Sequence, residues 1–159
     1  MLFRSFNDLV SDIAARTVLD PIAVKLDLDP LCPPLIIDRN LVGEAITNVM
    51  TNAVEAMPGG GTLTLRTTVN GGESVELLVQ DEGQGIPAEN LEQIFHLYFT
   101  TKERGNGLGL SLAMRAIDLH HGTLDVESTP CQGTAIRIRL PIQAHYADSA
   151  TVQEEDGHA

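Results

Sequence analysis

Between Arg39 and Gln80 the spacing of the apolar residues changes period once, and no other feature restricts the fold as much. From Arg39 to Met57, an arc of Leu41, Val42, Ala45, Ile46, Val49, Met50, Ala53, Val54 and Met57 follows the 3.6-residue period of a helix. "PGGG" stops it. Leu63 to Val69 and Val75 to Gln80 then alternate with period two across "NGG", the signature of a β-hairpin. A long amphipathic helix running straight into a hairpin calls for a helical layer packed on a sheet.

The flanking segments extend this pattern. Phe6 to Thr17 has helical spacing through Phe6, Leu9, Val10 and Ile13, and Asp20-Pro21 breaks it. "IAVKLDLD" alternates as a strand and "PLCPP" turns the chain. "AENLEQIF" reads as a short helix, "HLYFTTKERGNG" as a loop, and Leu108 to His121 as another helix. "TLDVES" and "TAIRIRLP" form a closing strand pair, with Ile136, Ile138 and Leu140 on one face and Arg137 and Arg139 on the other. The expected fold class is therefore α+β, a two-layer α/β sandwich with a mixed, mainly antiparallel sheet and helices on one face.

At 159 residues, 43% of them hydrophobic, the chain can bury one compact core. Its formal net charge of −12 opposes nucleic-acid binding, which needs a basic patch to displace phosphate counterions. No apolar run approaches the roughly 18 residues that would cross a bilayer, and "MLFRSFNDLV" lacks the layout of a signal peptide, so a cytoplasmic chain without direct membrane contact is expected. Cys32 and Cys131 stand far apart and are expected to be ordinary small buried or half-buried residues.

"RGNGLGLSLAM", Arg104 to Met114, alternates glycines with other residues and runs into an apolar helix. Free amides at a helix start, reached through glycines, suit a phosphate chain. A Walker A loop is absent, since neither Lys25 nor Lys102 follows a glycine, as are the "HRD" and "DFG" signatures of protein kinases. In the long helix, Asn48 and Asn52 lie four apart on a stripe bordering the apolar arc. Their amide oxygens suit Mg²⁺, which keeps waters and takes other oxygens from phosphates; equally, they suit a polar helix face. In "DEGQGIP", Asp81 ends a strand before two glycines, so its carboxylate can accept from a base's exocyclic amine while guanine would leave it unpaired; by itself the motif is as easily a plain turn.

The order of these pieces is more specific than any one of them. An Asn-bearing helix, Asp-x-Gly-x-Gly, "FHLYFTTK", "GNGLGL" and a final "GT" entering a strand resemble the catalytic, ATP-binding domain of bacterial sensor histidine kinases in the GHKL superfamily, with its Bergerat fold, most like the nitrogen-sensor type. The resemblance covers Asp20 to Pro141. It implies ATP and Mg²⁺ as cofactors, with Asn52 as the metal ligand and Asn48 beside the phosphates. Asp81 would bind the adenine amino group, Gly83, Gly85 and Ile86 would shape the base pocket, and Thr134 would join it through water. Phe95 and Phe99 would anchor a lid spanning Leu97 to Asn106. Gly105, Gly107, Leu108, Gly109 and Leu110 would cradle the phosphates, and Thr101, Lys102 and Arg104 would line the phosphate side, Lys102 with a catalytic role.

The implied organisation is a connection to a missing dimerisation hairpin over 1–19, the ATP-binding catalytic domain over 20–142, and an acidic, disordered tail over 143–159. The superfamily's hydrolases and anti-sigma serine kinases carry Glu one turn before the metal Asn; here that position is Asn48, whose amide cannot take up a proton, which favours transfer to an imidazole. None of the five histidines is followed by Asp or Glu, as a phosphoacceptor usually is. His120 and His121 are expected to compensate a helix C-terminus. The expected partners are thus a histidine-containing dimerisation domain of the parent chain and, through it, a response regulator, the chain being either cut from a longer sensor kinase or natural. A stand-alone anti-sigma serine kinase and a nucleotide-binding pseudoenzyme are the alternatives.

Overall fold

A computed structural model describes residues 5–18, 20–100, 103 and 107–142. The elements are α1 (Phe6–Thr17), β1 (Ile22–Leu28), α2 (Arg39–Glu55), β2 (Gly61–Asn70), β3 (Ser74–Gln80), α3 (Ala88–Leu91), α4 (Gly109–Leu119), β4 (Thr123–Thr129) and β5 (Gly133–Pro141). One five-stranded sheet has the order β1-β2-β3-β5-β4. β1 runs parallel to β2, which it can do only through a crossover, and α2 provides it. The other pairings are antiparallel. This is the expected α+β sandwich.

Strand alternation sets the two faces. Leu63, Leu65, Leu77, Val79, Ile136, Ile138 and Leu140 point into the core and are nearly or wholly buried, each contributing about 1.5–3 kcal/mol of hydrophobic stabilisation. The intervening residues form a solvated face tied by ion pairs such as Arg66–Asp27 and Arg139–Glu76. α2 supplies Val42, Ala45, Ile46, Val49 and Met50 from above, the arc its sequence defines.

α1 begins with a capping box in which Ser5 and Asp8 bond each other's backbone, and it buries Phe6, Leu9, Val10, Ile13 and Ala14. It joins the same core as α2, where a Cβ on Gly43 would come within 3.7 Å of Leu9. β1 departs from its alternating pattern. As an edge strand it buries only Ile22, while Val24 and Leu26, on the helix side, stay 39% and 48% exposed. "AENLEQIF" also departs: only Ala88–Leu91 is helical, followed by turns that bury Ile94. Glu89, Glu92 and Gln93 are exposed, which leaves too little apolar face to repay the cost of a longer helix.

Candidate functional site

The inner face of the sheet changes character in its last row. One row in, Leu65, Val79, Ile136 and Val126 are aligned and apolar. In the final row, Thr134 is paired with Ser128 across β4–β5, and the Asp81 amide bonds the Thr134 carbonyl at 2.9 Å. Asp81 is only 5% exposed. Its Oδ1 accepts from the backbone N–H of Gly83 at 2.8 Å and of Thr134 at 3.2 Å, so that among the described residues Oδ2 has no partner. Burial pushes the Asp81 carboxyl above the usual carboxylate range, with the two backbone N–H donors opposing. A buried carboxylate with one oxygen fixed and the other open is built to accept a donor.

The glycines of "DEGQGIP" are there because backbone approaches them. A Cβ on Gly83 would lie 2.5 Å from the Ala56 carbonyl oxygen, and one on Gly85, whose φ is +70°, 2.2 Å from that of Thr129. Gln84 donates to the same Ala56 carbonyl at 3.1 Å, which docks the turn on the end of α2. Ile86 N–H donates to Ser128 Oγ at 2.7 Å.

Asn48, Asn52 and Ala56 recur at i, i+4 and i+8 along α2 and its C-cap, so one stripe carries all three. Gly83 meets this stripe at Ala56, and Gly109, the first residue of α4, meets it at Asn48, whose side chain would be 3.8 Å from a Cβ there. Asn52 therefore stands between the base-sized turn and the start of α4. The α4 N-cap, Leu108, makes no side-chain capping bond, and the first turn of the helix starts beside Asn48. Tyr98 N–H bonds the Gly107 carbonyl at 3.0 Å, Gly107 has φ +68°, and Phe95 packs against the core. Among the described residues no three His, Cys, Asp or Glu side chains gather in a metal cage.

Sequence reasoning brings together Asn48, Asn52, Asp81, Gly83, Gly85, Ile86, Gly109 and Thr134, as the structure does. Leu108 and Leu110 are half-buried at the start of α4, and Phe99 is half-buried near the 107 turn. Thr101, Lys102, Arg104, Gly105 and Asn106, half of the expected lid, and the tail 143–159 lie outside the described residues. Ser128 was not foreseen: it bonds three groups at once, which only strand pairing reveals. A Cβ on Gly133, the glycine of the final "GT", with φ +103°, would lie 2.0 Å from the Asp81 carbonyl oxygen. Two expectations need correction. Cys131 is exposed, because it sits at φ +63° in the β4–β5 turn. His120 acts as a bridge: its Nε2 accepts from Asp38 N–H at 2.9 Å, so Nδ1 carries the proton donated to the Ala116 carbonyl at 2.7 Å.

Known proteins share this sequence pattern and fold. Residues 37–144 match the model of the family described as histidine kinase-, DNA gyrase B-, and HSP90-like ATPase, and the chain belongs to that family. It is 42% identical over 104 residues to sporulation kinase A of Bacillus subtilis, covering 65% of this chain and 17% of that one. To the sensory histidine kinase/phosphatase NtrB of Rhodobacter capsulatus it is 38% identical over 128 residues, covering 73% and 36%. Among solved structures, the catalytic domain of histidine kinase ThkA superposes with a TM-score of 0.77 at 26% identity, covering 89% of this chain and 99% of that one. The mycobacterial sensor histidine kinase MprB gives 0.75 at 27%, covering 87% and 95%. The chain thus spans well under two thirds of the length of these two curated relatives and nearly all of these two solved chains.

Proposed function

We propose that this chain is the ATP-binding catalytic domain of a two-component sensor histidine kinase, transferring the γ-phosphoryl group of ATP to a histidine on a dimerisation domain outside this chain, from which a response regulator receives it. The observation that carries the reading is the stripe Asn48–Asn52–Ala56, which meets the start of α4 at one end and the Asp81 turn at the other. Asp81 Oδ2 accepts the adenine amine, Gly83 and Gly85 let the ring lie against backbone, and Thr134 completes the base edge. Gly107 and Gly109 bring the triphosphate to the α4 amides. By the family resemblance, Thr101, Lys102 and Gly105 would add donors and charge for the phosphates.

Asn52 would hold Mg²⁺, which neutralises charge on the phosphates when bound. Asn48, an amide, positions the phosphates and cannot take a proton from water, so the site favours transfer to a nucleophile that needs no base, such as imidazole. The acidic chain repels ATP at long range, so micromolar or weaker binding is expected. The test is calorimetric titration of a non-hydrolysable ATP analogue, with and without Mg²⁺, into wild type and Asp81→Asn. Magnesium-enhanced binding lost in the variant supports the site; no binding in any condition defeats it.

A further inference from the structure

We propose that β1 is a docking edge for a second copy of this chain: two β1 strands pair antiparallel about a two-fold axis through Leu26, joining two five-stranded sheets into one. This interface is independent of the nucleotide site and begins at an edge the fold leaves open.

Within the sheet β1 is bonded on one side only, to β2. Its backbone directions are fixed at its end, where the Asp29 N–H turns toward β2 and donates to Thr67 Oγ1 at 2.8 Å. N–H and C=O directions alternate from residue to residue along a strand, so Lys25 and Asp27 face β2 while Val24, Leu26 and Leu28 direct both groups outward. Among the described residues no backbone group outside the sheet bonds them. The side chains of the same three residues lie on the helix side, level with Leu63, Leu65 and Thr67 of β2, and Val24 and Leu26 stay 39% and 48% exposed. Open backbone groups beside an uncovered apolar row make a template for another strand.

The residues of β1 select which strand. Antiparallel partners must match face to face, so a slip of one residue would set apolar side chains against charged ones. Among the registers that match, an axis through Lys25 sets lysine against lysine, and an axis through Asp27 sets aspartate against aspartate. An axis through Leu26 sets Leu26 against Leu26, Val24 against Leu28, and Lys25 against Asp27 twice over. The apolar pairs are then those that exchange two backbone bonds each, and the Lys25–Asp27 pairs fall at the close, non-hydrogen-bonded positions. Asp27 Oδ2 accepts from Arg66 Nε at 2.8 Å, which leaves Oδ1 for the incoming lysine, and among the described residues Lys25 has no ion-pair partner. Identical strands that satisfy each other in one register define an isologous interface. The contact is short and the net charge of −12 opposes it at long range, so the dimer is weak and concentration-dependent.

The test is sedimentation velocity on the whole chain from about 10 to 500 μM in about 0.15 M salt, where charges are screened beyond about 8 Å. Wild type is expected to dimerise toward the top of that range. Lys25→Asp and Asp27→Lys are each expected to weaken dimerisation about tenfold, although they move the net charge in opposite directions. An equimolar mixture of the two variants is expected to recover the dimer, because both carboxylates of one then meet both lysines of the other. Hydrogen exchange at high concentration should slow at Val24, Leu26 and Leu28 and stay unchanged at Lys25 and Asp27, whose amides already face β2. Circular dichroism checks that each variant is folded. Wild type that stays monomeric at the top of the range overturns the proposal, and so does a mixture no more associated than its components. Lys25→Thr associating more tightly than wild type also overturns it, since Lys25 would then be a charge that guards the edge against pairing.

Discussion

Asp81, proposed above as the acceptor for adenine, shows the cost of burying such a group. Burial penalises the ionised carboxylate, so its pKa is raised in the folded state. The group therefore favours folding at pH below its ordinary range, and that contribution is lost as pH rises through the raised folded-state value. Asp81→Asn keeps an oxygen for the Gly83 and Thr134 amides without the charge. The variant is expected to melt above wild type near pH 7, with the gap shrinking as pH falls through the carboxylate range, while adenine binding is lost; scanning calorimetry at several pH values checks this. Gly85 makes the opposite demand. With φ +70° and a carbonyl oxygen 2.2 Å from any Cβ, Gly85→Ala should cost about 3 kcal/mol in urea unfolding, because both backbone and neighbour would have to shift. The motif "DEGQGIP" displays these residues openly. What it cannot display is Ser128, more than forty positions later, since nothing local distinguishes that serine from the others in a polar strand end.

At the level of elements, α2 is held at its start by Asp38, whose Oδ1 accepts from Asn40 and Leu41 N–H at 2.9 and 3.0 Å. The Asp38 N–H reaches across to His120 Nε2 and ties that start to the end of α4. Asp38→Ala should therefore lower stability by about 1 kcal/mol, the usual worth of an N-cap, measured by chemical denaturation. Since α2 carries Asn48 and Asn52, the same variant should weaken Mg²⁺-nucleotide binding less than it weakens folding, because both asparagines lie beyond the first turn. The helix itself, its apolar arc and its stop at "PGGG" were legible from period alone. The short α3 was not, because its length depends on how much of Ile94 and Phe95 the core can accept.

For the whole molecule, the core is shared between the sheet, α2, α4 and α1. Removing residues 1–19 would strip Phe6, Leu9, Val10 and Ile13 from α2, and the remaining chain is expected to lose its cooperative thermal transition and expose apolar surface to a hydrophobic dye. A cooperative melt of that truncated chain would show that α1 is dispensable. Sequence by itself determined the layers: the switch from period 3.6 to period two, the hairpin at "NGG" and the Arg137/Ile138 alternation are local properties of covalent order, and local periodicity dictates which face an element must bury. It also named the candidate site residues, because Asn48, Asn52, Asp81 and the glycines lie in short motifs. Only the tertiary structure decided that β1 is an exposed edge, that His120 bridges two helices as a neutral ring, and that Ser128 stands beside Thr134 and the Asp81 turn. Those facts depend on which strands and helices become neighbours, and neighbours are chosen by the packing of the whole core.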